Sequence, residues 1–303
     1  MAPPLSLPPP VFYLLDLDGT LVRFSWLDPR LQTERQRLHE LAQQLPVPPP
    51  PGMLFPALLA LGRERPDVLA ALEAIELRAA EQSTVCPGAR ELLTALRGEP
   101  IAIVTNNGRA AVRAALAALA SEGPDGALGL DALPLICRDD VERPKPDPQP
   151  FQLALDRLRA RFGEPASALV IGDSLADVKA ALALQEAQRQ TRPALTVVAV
   201  GVEGGVGKAA DLASGGAVQV FPDLLHAVHA LGAPDQVHQR HFVEGEHFLD
   251  RPATGGGGLR NVLRFGGNGG DGASLHGRPC VRKCYKNQIR SVPVIMNYRG
   301  QPD

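Results

Sequence analysis

The sequence predicts an α/β protein with a Rossmann-like, doubly wound parallel sheet and a small helical cap inserted after the first strand. Short apolar runs recur along the chain, and they are continuous rather than alternating, which is typical of strands covered on both faces. Helical patterns follow most of these runs, and strand–helix alternation produces right-handed βαβ units. The predicted strands are residues 11–15, 101–104, 133–137, 168–171, 195–200 and 217–220.

The helices of the predicted core fill the intervals between these strands. Their predicted ranges are residues 88–97, 108–121, 148–162 and 175–188. In open sheets of this type, ligands bind beyond the carboxyl ends of the strands. The residues that directly follow each apolar run are therefore the candidates for a functional site.

One long interval breaks the alternation, because no strand is predicted between Leu21 and Val85. It contains helical stretches at residues 31–45, 53–61 and 67–82, and the last has an apolar face with helical spacing from Val68 to Ala79. An insertion directly after the first strand is placed to form a lid above the ligand-binding edge. The alternative is a helical elaboration with no gating role.

The predicted domain limits follow from these patterns. Residues 1–22 and 88–234 form the core, residues 23–87 form the cap, and residues 235–303 form a glycine-rich basic tail. From Arg251 to Asp303 the chain carries nine Lys or Arg residues and two acids, with four consecutive glycines at 255–258. Such a segment buries too little apolar surface to offset its ordering entropy, which predicts that it is mostly disordered or peripheral.

Composition narrows the functional class. The 303 residues have a formal net charge of −2, which gives no general reason to expect nucleic acid or membrane partners. Contact between the basic tail and a polyanion is a minor alternative. No secretory signal or membrane-spanning apolar run is visible. The four cysteines are sparse and irregularly spaced, which favours a reducing compartment, and we predict a cytoplasmic protein.

The strongest chemical signal is the acid pair in the segment Asp16-Leu-Asp-Gly-Thr20, directly after the first predicted strand. Two carboxylates two residues apart project in the same direction if strand geometry continues. One strand-end carboxylate can attack phosphorus, and a second can exchange protons with the leaving group and with water. The alternative is a strand-end turn with a solvated acid pair.

This segment resembles the first motif of the haloacid dehalogenase superfamily, and three further motifs follow in the family's order. Thr105 follows the second core strand, Lys145 precedes a predicted helix, and Asp173 and Asp177 follow a later strand. The resemblance covers roughly residues 11–231, and the overall layout looks most like that of phosphoglycolate phosphatase-type hydrolases.

The resemblance implies a phosphatase that acts on a small phosphorylated metabolite through an aspartyl-phosphate intermediate. Asp16 would be the nucleophile and Asp18 the general acid and base. Thr105 and the Asn106 backbone N–H would hold the phosphoryl oxygens at the start of a helix, and Lys145 would offset their charge.

The resemblance also implies Mg²⁺ as the cofactor, because this ion prefers oxygen ligands. The Asp16 carboxylate, the Asp18 main-chain carbonyl and the Asp173 carboxylate would supply them, and Asp177 would orient a metal-bound water. In this family an acid at the position of Asp18 separates phosphatases and phosphomutases from dehalogenases. A phosphomutase and a catalytically silent binding protein of the same fold are the alternatives.

A glycine-rich segment and two arginines are further candidate features of the sequence. Residues 201–208 resemble a phosphate-binding loop, but Val202 stands where a glycine is required and Ala209 stands where Ser or Thr is required. They are predicted to form a loop near the site. Arg23 and Arg30 could meet an anionic part of the substrate, or could be exposed charges.

Overall fold

The structure is a computed structural model that describes residues 5–50, 53–121 and 130–231. In chain order, its strands are β1 (Val11–Leu15), β2 (Val22–Arg23), β3 (Thr84–Val85), β4 (Ile101–Val104), β5 (Leu135–Ile136), β6 (Ser167–Gly172), β7 (Thr196–Val202) and β8 (Gln219–Phe221). Six of them form a parallel sheet in the order β5-β4-β1-β6-β7-β8 within these residues. The predicted fold class is confirmed.

Helices cover both faces of this sheet. Within the described ranges they are α1 (Gln32–Ala42), α2 (Leu54–Glu64), α3 (Pro66–Glu81), α4 (Ala89–Ala95), α5 (Arg109–Ser121), α6 (Gln149–Phe162), α7 (Leu175–Thr191), α8 (Ala209–Ser214) and α9 (Leu224–Ala230). Successive strand residues face opposite sides. Phe12 and Leu14 therefore lie in one apolar cluster with α6 and α7, while Leu15 lies in a second with α4, α5 and α9. Strands β4 and β6 are buried on both faces, and β1 is buried on one face and partly buried on the other, which explains their continuous apolar sequences.

The cap consists of α1, α2 and α3. The apolar face of α3 predicted from the sequence is buried, and it joins the same apolar cluster as Leu15 of the core. Because cap and core share one cluster, the cap is packed onto the α5 side of the sheet rather than standing apart from it.

The prediction that no strand lies between Leu21 and Val85 is wrong. Strands β2 and β3 form an antiparallel pair, with Val22 opposite Val85 and Arg23 opposite Thr84. Each strand has only two residues, too few to show a periodic pattern, and their pairing is decided by contact across the whole insertion. In this pair, the segment that enters the cap lies beside the segment that leaves it.

The other departures from prediction concern element ends. Strand β5 is shorter than the predicted range 133–137, and β7 and β8 each extend beyond the predicted ends. No helix in the described part of the chain is both long and apolar enough to cross a bilayer. The tail predicted at residues 235–303 lies outside the described residues.

Candidate active site

The candidate site lies at the carboxyl edge of the three central strands. Asp16 follows β1, Thr105 follows β4 and Asp173 follows β6. Because β1 lies between β4 and β6 in the sheet, these three positions are neighbours in space. All three side chains are buried. The topology therefore brings together residues that are far apart in sequence, as predicted for this class of sheet.

Lys145 connects two carboxylates at this edge. Its ammonium donates hydrogen bonds to Oδ1 of Asp16 at 2.7 Å, Oδ1 of Asp177 at 2.6 Å and the Val104 carbonyl at 2.9 Å. Burial by itself would lower the pKa of Lys145, but the two carboxylates outweigh it and raise the pKa, so the side chain stays charged. Asn106 fixes the Lys145 backbone through two hydrogen bonds, of 2.8 and 2.9 Å.

Three carboxylates form a compact buried cluster. Oxygens of Asp16, Asp173 and Asp177 lie within 4.8 Å of one another. Burial raises the pKa of Asp16 to about 6 despite the ammonium of Lys145. Burial, followed by repulsion from Asp16, raises the pKa of Asp173 well above its ordinary value. Three acids against one lysine leave excess negative charge, and an all-oxygen donor set of this kind fits a divalent metal ion.

Asp177 is a member of this cluster and lies at the start of α7, as predicted. Its action on a metal-bound water stays a prediction, and one oxygen of the Asp177 carboxylate accepts a hydrogen bond from Lys145. Its second oxygen accepts hydrogen bonds from the Ser174 hydroxyl at 2.6 Å and the Ser174 backbone N–H at 3.1 Å. Ser174 is in turn the N-cap of α7, so the reciprocal cap orients Asp177 toward Lys145.

The glycine-rich loop after β7 closes the site beside Asp173. The Val206 backbone N–H donates to Oδ2 of Asp173 at 2.7 Å. A Cβ atom at Gly205 would lie 1.9 Å from the same oxygen, so no larger residue fits there. This loop lies near the site, as predicted for residues 201–208, and its backbone contacts a carboxylate.

Asp18 lies apart from the three-carboxylate cluster. Its two carboxylate oxygens accept hydrogen bonds from the Phe24 backbone N–H at 2.9 Å and from Nε1 of Trp26 at 2.8 Å. Burial raises the pKa of Asp18 to about 8, and these two hydrogen bonds only partly oppose that rise. Both contacts come from the first segment of the cap. The role of Trp26 was missed, since the sequence contains no local signal for it.

The loop after β4 is held by an acid from the cap. The Thr105 hydroxyl donates to the side-chain oxygen of Asn107, whose amide nitrogen donates to Glu76 of α3 at 2.9 Å. Glu76 also accepts from the Gly108 backbone N–H at 2.9 Å and pairs with Arg138 at 3.1 Å. Glu76 is 1% exposed. The signal that could have revealed it was an acid on the buried face of α3, where only a partnered charge is tolerated.

Replacing Glu76 by Ala should therefore loosen the loop that carries Thr105. We expect the free energy of unfolding in urea to fall by about 3 kcal/mol, since each buried donor without a partner costs on the order of 1–3 kcal/mol. Glu73→Ala is the matched control, because Glu73 contacts the same Arg138 but is 52% exposed. Its change should stay within about 0.5 kcal/mol. Equal losses in both variants would contradict the assignment.

A cavity of 490 Å³ extends from these groups to the cap. Its core side includes all the predicted catalytic and phosphate-binding residues, and its cap side contains Arg35 and His39 of α1. Neither Arg23 nor Arg30 lines it. Arg23 donates to the Gly204 carbonyl at 3.0 Å, and the exposed Arg30 pairs with a neighbouring acid. The i, i+4 spacing of Arg35 and His39 is the sequence feature that could have indicated that both side chains lie on one face of α1.

Fold and site together define a Rossmann-like α/β protein with a buried carboxylate centre at the carboxyl edge of its sheet. A family model described as haloacid dehalogenase-like hydrolase matches residues 13–185, which is more than half of the chain. The chain belongs to this family, as the four ordered motifs indicated.

Two solved structures share the fold of this chain, and one curated relative matches a short segment of it. A hydrolase from Pseudomonas syringae is 23% identical with a TM-score of 0.53, covering 73% of this chain and 97% of that one. A phosphonoacetaldehyde hydrolase-like protein from Oleispira antarctica is 15% identical with a TM-score of 0.52, covering 77% and 95%. These likenesses show the fold. Pyrophosphatase PpaX from Bacillus velezensis is 46% identical over 46 residues, and the match spans 15% of this chain and 20% of that protein.

Proposed function

We propose that this protein is a Mg²⁺-dependent phosphatase that hydrolyses a small phosphomonoester through an aspartyl-phosphate at Asp16. The observation that carries the proposal is the buried ammonium of Lys145, which joins Asp16 and Asp177 at the floor of the cavity. Such an ammonium keeps a carboxylate ionised in a buried site and offsets the charge of an arriving phosphoryl group.

In the first half-reaction, a carboxylate oxygen of Asp16 attacks phosphorus and the bond to the leaving oxygen breaks. Asp18 donates its proton to that oxygen. The raised pKa of Asp18 supports this role, because a value of about 8 keeps the group protonated at neutral pH. Trp26 and Phe24 hold the carboxyl group in place from the cap side.

In the second half-reaction, water attacks the phosphorus of the aspartyl-phosphate. Asp18, now a carboxylate, removes a proton from that water, and the bond between phosphorus and the Asp16 oxygen breaks. Inorganic phosphate leaves, and both acids return to their starting states. Thr105 and the backbone N–H of Asn106 would hold the phosphoryl oxygens, and Lys145 would neutralise their charge in both steps.

Mg²⁺ would be held by the carboxylates of Asp16, Asp173 and Asp177, with the Asp18 carbonyl as a further predicted ligand. The buried cluster supports this assignment through its oxygen donors and its excess negative charge. When bound, the ion supplies Lewis-acid charge neutralisation for a phosphoryl oxygen. The preference for Mg²⁺ over other oxygen-seeking cations is part of the proposal.

Metal removal tests the cofactor directly. Dialysis against EDTA should reduce phosphate release from p-nitrophenyl phosphate to background, and added Mg²⁺ should restore it. Thermal unfolding gives an independent readout, since a ligand that binds only the folded state raises Tm. Unchanged Tm and unchanged activity after metal removal would contradict a metal site at this cluster.

A metabolite panel tests the reaction class. With Mg²⁺ present, we expect release of free phosphate from at least one small phosphomonoester. Isomerisation of a sugar phosphate without phosphate release would instead indicate a phosphomutase. Binding of phosphate esters without turnover would indicate a silent descendant of the family. Inorganic pyrophosphate belongs in the panel because of the named activity of the Bacillus velezensis relative.

The cytoplasmic location is also a proposal. Cys86 and Cys137 are free, buried thiols in the described chain. Burial raises their pKa values to about 12 and about 11, which makes them poor nucleophiles. Free thiols of this kind suit a reducing compartment.

A further inference from the structure

We propose that the cap wall of the cavity is a second anion-binding subsite centred on Arg35. The substrate is then an organic phosphomonoester whose apolar body links the phosphate to a second anionic group such as a carboxylate. This inference rests on the proposed function, because it assumes that the phosphate occupies the Asp16 end of the cavity.

The orientation of α1 directs Arg35 into the cavity. Arg35, Leu38 and His39 are spaced i, i+3 and i+4, so they lie on one face of the helix, and all three line the cavity. On another face, the 5%-exposed Glu34 pairs with Arg37 at 2.5 Å and with Arg78 of α3 at 3.2 Å. The Glu34–Arg78 pair joins α1 to α3 and so restrains the rotation of α1 about its axis, and with it the position of Arg35.

Among the cations that line the cavity, Arg35 is the one available to bind a ligand. Lys145, the other permanent cation of the cavity wall, is committed to Asp16 and Asp177. Within the described ranges Arg35 has no ion pair or side-chain hydrogen bond, whereas Arg37, Arg65 and Arg78 of the cap all pair with acids. Its guanidinium therefore retains five N–H donors in a geometry that matches a carboxylate or phosphate.

Apart from Arg35 and His39, the cap side of the cavity is apolar. It includes Trp26, Leu27, Leu38, Leu54 and Phe55, and the rings of Trp26 and Phe55 pack with centroids 5.8 Å apart. A ligand that spans the cavity must bury an apolar or aromatic segment against these side chains to recover the free energy of desolvation. Inorganic pyrophosphate carries two anionic ends but no such segment.

The negative charge around Asp16 determines where in the cavity a second anionic group of the substrate can bind. The three carboxylates around Asp16 repel a second anionic group unless it lies at a distance from them. Arg35, on the opposite wall, is the position where that group gains a partner. The cavity volume of 490 Å³ falls in the range that holds a metabolite-sized organic ligand.

Two matched substrates test the subsite: the phosphate ester of 3-(4-hydroxyphenyl)propanoic acid and the same ester of its primary amide. They differ in the remote negative charge and share nearly the same leaving phenol. The full-length protein with Mg²⁺ is assayed for phosphate release, as wild type, Arg35→Met and Arg30→Met. Arg30 is the matched control, because it is a cap arginine whose side chain is 85% exposed and which lies outside the cavity.

We expect wild type to prefer the acid over the amide by about tenfold in kcat/KM, mainly through KM, as for one charge-assisted contact. Arg35→Met should remove most of that preference, with a much smaller loss on the amide. Arg30→Met should behave as wild type. Inorganic pyrophosphate should be a poorer substrate than the acid.

Several outcomes overturn the inference. Equal turnover of acid and amide by wild type, or a preference that survives in Arg35→Met, removes the anion subsite. If pyrophosphate is the better substrate, the proposal that the substrate has an apolar body is wrong. In these cases phosphatase activity abolished by Asp16→Asn still supports the proposed function. If no phosphate ester is hydrolysed at all, the proposed function fails and the subsite assignment fails with it.

Discussion

Asp16→Asn is expected to lower phosphate release by about 10⁴-fold or more while leaving the fold intact. The amide of Asn cannot attack phosphorus, and loss of a covalent nucleophile has effects of this order. The substitution also removes one of three mutually repelling buried carboxylates, while Lys145 keeps its contact with Asp177. We therefore expect Tm in EDTA to be equal to or higher than that of the wild type.

The combination of lost activity and retained stability is what separates a chemical role from a structural one. Asp156→Asn on α6 is the matched control, because Asp156 is 53% exposed and does not line the cavity. It should change neither measurement. Phosphate release that persists in Asp16→Asn, with Mg²⁺ present, would falsify the aspartyl-phosphate mechanism. A large fall in Tm would indicate that Asp16 is needed for folding.

Lys145→Met should have the largest effect on stability. The change leaves the buried carboxylates of Asp16 and Asp177 without their shared ammonium, and removing one partner from a buried charge pair costs about 3–5 kcal/mol. We expect that loss in urea unfolding at pH 7 in EDTA, together with loss of activity. Lys179→Met on α7, an exposed lysine, should change the free energy of unfolding by no more than about 0.5 kcal/mol.

The loss of stability in Lys145→Met should depend on pH and become smaller as the pH falls. Burial already raises the pKa of Asp16 to about 6, and removal of the ammonium raises it further. Protonation then relieves the repulsion, so the stability gap between variant and wild type should narrow as the pH falls from about 8 to about 5. The double variant Lys145→Met/Asp16→Asn should recover part of the loss. A gap that is constant across this range, with no recovery, would show that Lys145 acts by packing alone.

Sequence reasoning was most successful where the signal is local. The parallel sheet and the family membership were predicted correctly, since each core strand is a continuous apolar run and each motif residue directly follows a strand or precedes a helix. Asp16, Thr105 and Asp173 are adjacent because β4, β1 and β6 are adjacent, and that order is typical of the fold. The chemical role of each residue in this group stays a prediction until the variants are measured.

Contacts across the cap insertion were not visible in the sequence. Strands β2 and β3 are two residues long, and nothing in either segment identifies the other as its partner. Glu76 meets Asn107 and Gly108 only after α3 packs beside α5. Trp26 meets Asp18 only because the chain turns back after the first motif. Each of these contacts depends on where whole elements pack, and periodicity within one element carries no such information.

The sequence by itself determined the core: six apolar runs, four ordered motifs and an insertion of helical character after the first strand. It also determined which acids stand at the strand ends, because local geometry places them there. Only the tertiary structure decided that Asp16 and Asp177 share the ammonium of Lys145, with Asp173 in the same cluster. It also decided that Arg35, rather than Arg23 or Arg30, faces the cavity. The physical reason is that charge pairing and burial are properties of distance in space, which the packing of cap on core sets.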